Sequence, residues 1–180
     1  IGAWIGVFSI YAEKKGAYCL LSEPDYVAYQ ELIKNIELNE SKVAICNSAI
    51  SSKDGVAVLN STGDFGNSES SLVDRESGKG EMPVTTFTLE NFINSYKVRP
   101  ESISLIKVDV EGEEVGIITS SKDWLSEHTP SIHLSLHPAW KGQDGIDKIA
   151  DVIFEIYKVE SDKGGVVEIG KFNYYISYIL

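Results

Sequence analysis

Asp109 and Glu111 stand two apart at the end of a mostly apolar run, Ile103-Ser104-Leu105-Ile106-Lys107-Val108-Asp109-Val110-Glu111-Gly112. The chain then passes straight into Glu113 and Glu114. An apolar run bounded by a turn signal reads as a buried parallel strand. Such strands deliver their last residues to the carboxyl edge of an open α/β sheet, where ligands bind. On a strand, residues two apart share a face at roughly 6–7 Å. Two carboxylates placed so can exchange protons or hold a cation. A plainer use is open to Glu111, Glu113 and Glu114, because acidic residues favour a helix N-terminus.

His133 and His137 are four apart, which on a helix would make a metal-binding pair. Pro130 and Pro138 flank them, and Ile132, Leu134 and Leu136 alternate with them, so the segment reads as a strand. Residues four apart on a strand are separated by about 13 Å, too far to share one metal. No metal motif is read here. His137, at the strand's carboxyl end, is the better site candidate and could serve as a general base near neutral pH. His133 reads as an interior residue and His128 as a surface one. No Gly-x-Ser-x-Gly elbow is present, and Cys19 and Cys46 sit inside apolar runs, as inert core thiols do.

A second locus opens the chain. Gly2-Ala3-Trp4-Ile5-Gly6 is a glycine-rich connection into a helix, the kind that lets a ligand approach backbone closely. Glu23 follows about twenty positions on, at the end of the next strand, where a carboxylate can hold the ribose hydroxyls of a nucleoside. Dinucleotide enzymes and S-adenosylmethionine (SAM) enzymes share that geometry. The three-glycine GxGxxG pattern is absent, which disfavours NAD. The plain alternative for Glu23 is a solvated turn residue before Pro24.

The elements that must position these groups alternate. A helix over Val7 to Lys15 closes at Gly16, and a strand runs from Ala17 to Ser22. Asp25 is placed to cap a helix carrying Tyr29, Leu32, Ile33 and Ile36 on one face. Val43 to Ile50 reads as a strand, and Asp54-Gly55 as the tight turn of a small hairpin reaching Leu59. Asn60 to Glu81 is a long Ser- and Gly-rich loop, of a length usual for lids. A strand from Val84 to Phe87, a helix opened by Thr88, the Ile103 strand and a helix from Glu113 to Trp124 follow. A strand from Ile132 to Leu136, a helix from Ile146 to Tyr157 and a last strand from Phe172 to Leu180 complete the order. This alternation predicts an α/β fold with helices on both faces of a sheet. The whole chain, 1–180, reads as one domain. Its first residues look like the turn after a strand, so the strand before Gly2 is expected to be missing.

The 180 residues are 43% apolar and 24% charged, an ordinary globular composition. A net charge of −11 argues against nucleic acid and anionic membranes as partners. No apolar run approaches a membrane span and no signal-peptide pattern opens the chain, so a soluble, cytoplasmic domain is expected.

Taken in order, several segments resemble the FkbM-type SAM-dependent methyltransferases, a branch of the class I Rossmann-like fold. They are Ile1 to Gly6, Ser22 to Asp25, Asn35 to Asn39, Asn47 to Ile50, Gly66 to Ser71, Val84 to Leu89, Ile106 to Gly112 and His133 to Pro138. Lys107-Val108-Asp109-Val110-Glu111-Gly112 after Val84-Thr85-Thr86-Phe87-Thr88-Leu89 is the most specific combination. The resemblance implies a doubly wound, mostly parallel sheet with an antiparallel C-terminal strand. It also implies SAM as cofactor, held by Gly2, Ala3 and Gly6 at the methionine portion and by Glu23 at the ribose. Ser48 and Ala49 would border the adenine, and Asp109 would sit near the sulfonium and the acceptor. The implied reaction is O-methylation of a hydroxyl on a sugar or secondary metabolite, with Asp109, Glu111 and His137 as candidates for base or acceptor orientation. The family usually carries an Asp just before the position of Ile1. A nicotinamide-dependent oxidoreductase and a non-catalytic nucleoside-binding module stay open as alternatives.

Overall fold

In the computed structural model, residues 1–73, 80–161, 163–168, 172 and 177–180 are described. They form two compact units: Ile1–Ala49 with Gly55–Thr86, and Ile50–Asp54 with Phe87–Leu180.

In the first unit, helix α1 (Val7–Lys14) begins at Gly6, whose φ of 87° is the left-handed conformation that glycine adopts without strain. A Cβ there would also run into Leu32 Cδ1. Strand β1 (Leu20–Ser22) lies parallel to β2 (Ala44–Cys46), Leu21 opposite Ile45. Between them runs α2 (Tyr26–Leu38), opened as expected by Asp25, whose Oδ1 accepts from the amides of Val27 and Ala28. Ala28 and Leu32 are fully buried on its inner face. Strand β4 (Gly55–Ser61) is antiparallel to β5 (Gly80–Phe87), in a sheet of order β3-β5-β4 with the short β3 (Ala49–Ile50). Leu59, Val84 and Ala49 form its core, with Phe65, Leu72 and Met82 against them.

The second unit opens with α3 (Leu89–Ser95), capped by Thr88 Oγ1 on the amide of Asn91. Strand β6 (Leu105–Val108) lies parallel to β7 (Ser131–Ser135), Lys107 opposite His133. Helices α4 (Glu114–Ser120) and α5 (Lys122–His128) connect them. After β7, helix α6 (Pro138–Ile156) is broken at Gly142, and the sheet is completed in the order β6-β7-β9-β8 by β8 (Glu160–Ser161) and the antiparallel β9 (Ser177–Ile179). Ile106, Val108, Ile132 and Leu134 from the strands and Ile117, Ile118 and Leu125 from the helices are buried in its core. Burying an aliphatic side chain of this size contributes about 1.5–3 kcal/mol.

The fold is mixed α/β with parallel strand pairs, as predicted, and its C-terminal strand is antiparallel. The first part of the expected last strand, residues 173–176, lies outside the described residues. Three boundaries differ for identifiable reasons. The expected strand from Val43 to Ile50 is two strands, parted at Asn47, whose side-chain Nδ2 donates to the carbonyls of Glu23 (2.8 Å) and Pro24 (3.0 Å). Strand β4 pairs with β5 rather than closing a hairpin on the strand before it, and Asp54 instead accepts from the Thr88 amide at 2.7 Å and from the Asn91 side chain. The expected Glu113 to Trp124 helix ends and restarts at Ser121, where the Ser120 hydroxyl bonds back to the Ile117 carbonyl at 3.3 Å.

Candidate functional site

Strand β6 stops at Val108, so Asp109 and Glu111 do not share a strand face as their spacing suggested. The chain reverses instead through Glu111 and Gly112, whose φ values of 55° and 115° are both left-handed. Glycine takes that conformation freely; for Glu111 it is a strained choice of the kind found at functional positions. The reversal folds Glu111 back beside Asp109 and starts α4 at Glu114.

His137, two residues beyond β7, enters the same space. Its Nε2 lies 3.2 Å from Glu111 Oε1 and 3.6 Å from Asp109 Oδ1. Its Nδ1 lies 2.6 Å from Oε1 of Glu114. Lys107, from β6, reaches Asp109 Oδ2 at 2.5 Å. Three carboxylates therefore meet two cationic side chains at the carboxyl ends of two adjacent parallel strands. Burial alone would lower the pKa of His137, but hydrogen bonds to Glu111 and Glu114, with their charges, outweigh it and push it up to about 10. The ring is an imidazolium across neutral pH, so it has no free nitrogen with which to take a proton there. One ligand atom each from Asp109, Glu111 and His137 lie within 4.8 Å of one another, a spacing that suits a divalent cation once Nε2 has lost its proton. With the proton in place, the imidazolium itself bridges the two carboxylates.

His133 is half-buried within β7, away from His137 along the strand, so the two do not form a metal pair. His128 is half-buried with its ring edge-on to Trp124 at 4.7 Å, rather than a free surface residue.

The first unit holds the other predicted residues. The amides of Gly2 and Ala3 both donate to the Ser22 carbonyl at 3.1 Å, which ties the glycine turn to the end of β1. Asn35 of α2 fastens the same turn by donating to the Ile5 carbonyl at 2.9 Å. Glu23 is 6% exposed, not a solvated turn residue. Its Oε2 accepts from the Trp4 amide (2.7 Å) and its Oε1 from the Asp25 amide (2.9 Å). Burial pushes its carboxyl up to about 7, against the opposing pull of those two amides. Each oxygen keeps a lone pair for a further donor such as a ribose hydroxyl. Ser48 and Ala49 are both buried. The Ser48 carbonyl accepts from the Ser22 hydroxyl at 2.7 Å, so this segment braces the β1 end.

Two groups take on roles that the sequence did not show. Asp25 caps α2 with one oxygen, and with the other accepts from the Gly66 amide and the Ser70 hydroxyl, both at 2.7 Å. The Trp4 indole donates to the Gly66 carbonyl at 3.1 Å. Glu23, Trp4, Gly66 and Asp25 thus close a ring of hydrogen bonds that fastens the Ser-rich loop. Gly66 is required there, since its φ is 98° and a Cβ would meet Val27 Cγ1 at 2.7 Å. Glu114 is the second: a charged residue only 1% exposed. Its signal was available, because Glu114, Ile117 and Ile118 fall at i, i+3 and i+4 on the buried face of α4.

Helices alternating with parallel strand pairs, and carboxylates gathered where β6 and β7 end, define an α/β protein of the kind that binds ligands at its strand ends. The chain belongs to the methyltransferase FkbM domain family, whose profile matches residues 1–176. Its fold is similar to the crystal structure of methyltransferase FkbM from Methylobacillus flagellatus KT, with a TM-score of 0.59 and 15% identity. That match covers 99% of this chain and 41% of the other, so the chain spans about two fifths of that protein's length. No curated protein matches at a significant level. Among the described residues, no helix is long and apolar enough to cross a membrane.

Proposed function

We propose that this chain transfers a methyl group from SAM to a hydroxyl of a small acceptor, a sugar or secondary metabolite. The observation that carries this reading is the family match, which runs from the Gly2 turn through Glu23 to the cluster of Asp109, Glu111 and His137. It favours methyl transfer over the hydride transfer that the same strand-and-glycine pattern also suggests.

Glu23 fits the ribose role: it is fixed by two backbone amides and, when ionised, offers a carboxylate to a diol. When bound, SAM supplies an electrophilic methyl carbon. An acceptor hydroxyl taking that methyl would release S-adenosylhomocysteine and would have to give up its proton. Asp109 is our candidate for receiving it. Its side chain is 34% exposed against 21% for Glu111 and 2% for Glu114, so it is the carboxylate most open to an incoming hydroxyl. The imidazolium of His137 then holds Asp109 and Glu111 in place rather than acting as the base. Lys107 sets Asp109 from the other side.

Calorimetry with SAM, S-adenosylhomocysteine and NADH, followed by methyl transfer from labelled SAM to a panel of hydroxylated acceptors, tests the reading. Binding of both adenosyl compounds but not NADH is expected. Asp109→Asn should keep that binding and lose turnover. Preferential NADH binding, or turnover unchanged in Asp109→Asn, would refute the assignment. Nucleoside binding without transfer to any acceptor would point to the non-catalytic module.

A further inference from the structure

We propose that Glu114 is the positioning residue for His137, an inference that rests on the methyl-transfer reading for its functional consequence but not for its geometry. A carboxylate taken out of water is destabilising unless it is well paired. Glu114 is 1% exposed, and its close partner is His137 Nδ1 at 2.6 Å, with the Val110 amide at 3.4 Å. Ile117 and Ile118, which share its helical face, are equally buried. A position that packing alone would fill with an aliphatic residue therefore carries a charge aimed at one nitrogen.

The consequence is directional. Glu114 is the first residue of α4, and its backbone is held by the packed helix, so its Oε1 is a fixed point. An imidazole anchored at Nδ1 has its plane set, and its other nitrogen must face away from the anchor. Here Nε2 faces Glu111 Oε1 at 3.2 Å and Asp109 Oδ1 at 3.6 Å. The arrangement places a buried carboxylate behind the ring and two accessible carboxylates in front of it. Glu114 touches neither a cofactor nor an acceptor in this scheme. It acts through the ring, which in turn spaces the two carboxylates that would meet the acceptor.

The test compares Glu114→Leu, which keeps bulk and removes the acceptor, with Glu114→Gln, which keeps an acceptor oxygen and removes the charge. Nitrogen-15 NMR of His137 gives a readout that packing alone would not move. The wild type should show a strongly hydrogen-bonded, slowly exchanging Nδ1 proton; Glu114→Gln should retain it weakened, and Glu114→Leu should lose it. In the methyl-transfer assay, kcat should fall about 100-fold in Glu114→Leu, the scale on which a misplacement of about 1 Å acts. It should recover in part in Glu114→Gln, with SAM affinity unchanged throughout. If Glu114→Leu does not fold, Glu114→Gln alone decides through the same signal. Identical His137 spectra in the wild type and in the folded variants would overturn the proposal, as would unchanged kcat in an active enzyme. The predicted NMR pattern in a protein that transfers methyl to no acceptor would uphold the positioning and refute the methyl-transfer reading instead.

Discussion

Replacing Glu23 with Gln should remove a pH-dependent cost from the fold. The Glu23 carboxyl is raised from 4.5 to about 7, chiefly by burial. Each tenfold change in proton affinity is worth about 1.4 kcal/mol, so the rise corresponds to about 3 kcal/mol. Below pH 4.5 the folded and unfolded chains both hold the proton, and Glu23 contributes no difference. Between 4.5 and about 7 the unfolded chain loses the proton while the folded one keeps it, so stability falls as pH rises. Above 7 both are ionised and the whole cost is present. Gln cannot ionise, although its amide nitrogen faces one of the two backbone donors, a roughly constant penalty of about 1–3 kcal/mol. Urea unfolding of both proteins at about pH 5 and about pH 8 separates the two effects. The stability of Glu23→Gln relative to the wild type should improve by about 2.5 kcal/mol from the first pH to the second, since a little of the cost is already present at about pH 5. Two curves that stay parallel would show that burial does not govern this carboxyl. Under the proposed function the same ionisation strengthens SAM binding as pH rises through about 7, and Glu23→Gln should weaken binding at both values.

Two further outcomes are expected. Asp25→Ala loses the α2 cap, worth about 1 kcal/mol, together with the bonds to the Gly66 amide and the Ser70 hydroxyl. A total loss of about 2–4 kcal/mol should appear in thermal unfolding, with faster hydrogen exchange over residues 62–72. Faster exchange confined to the start of α2 would contradict the loop fastening. For His137, whose pKa is raised from 6.5 to about 10, the stabilisation is complete below 6.5 and is lost as pH rises through 10. The denaturation midpoint should therefore fall from about pH 7 to about pH 10, and less steeply in His137→Gln; equal slopes would count against the imidazolium.

The elements that carry periodic burial were legible in the sequence. Asp25 as the α2 cap, Thr88 as the α3 cap and a strand through His133 with His137 just past its carboxyl end follow from short-range chemistry, and the structure agrees. What was not legible depended on partners distant in the chain. Asn47 parts two strands, and the carbonyls that its side chain reaches, those of Glu23 and Pro24, are 24 and 23 residues away. The proximity of Asp109 and Glu111 was read from strand geometry, yet a left-handed turn produces it. His137 was read as a base from its ordinary pKa, and only the placement of Glu111 and Glu114 beside it turns the ring into a cation. Glu114 itself looked like a residue that merely favours a helix start, since its acidic type suits that position and hides the burial.

The closed circuit through Glu23, Trp4, Gly66 and Asp25 has a bearing on how a nucleoside would be received. Every member donates to or accepts from the next, so a hydroxyl that binds the remaining lone pairs of Glu23 meets the same carboxylate that holds Trp4 and Asp25. Occupancy at that carboxylate would be felt at residue 66 through two short routes, one by the Trp4 indole and one by the Asp25 side chain. Under the proposed function, cofactor binding and the seating of the serine-rich segment would be one coupled equilibrium, and loosening either would make the other less favourable.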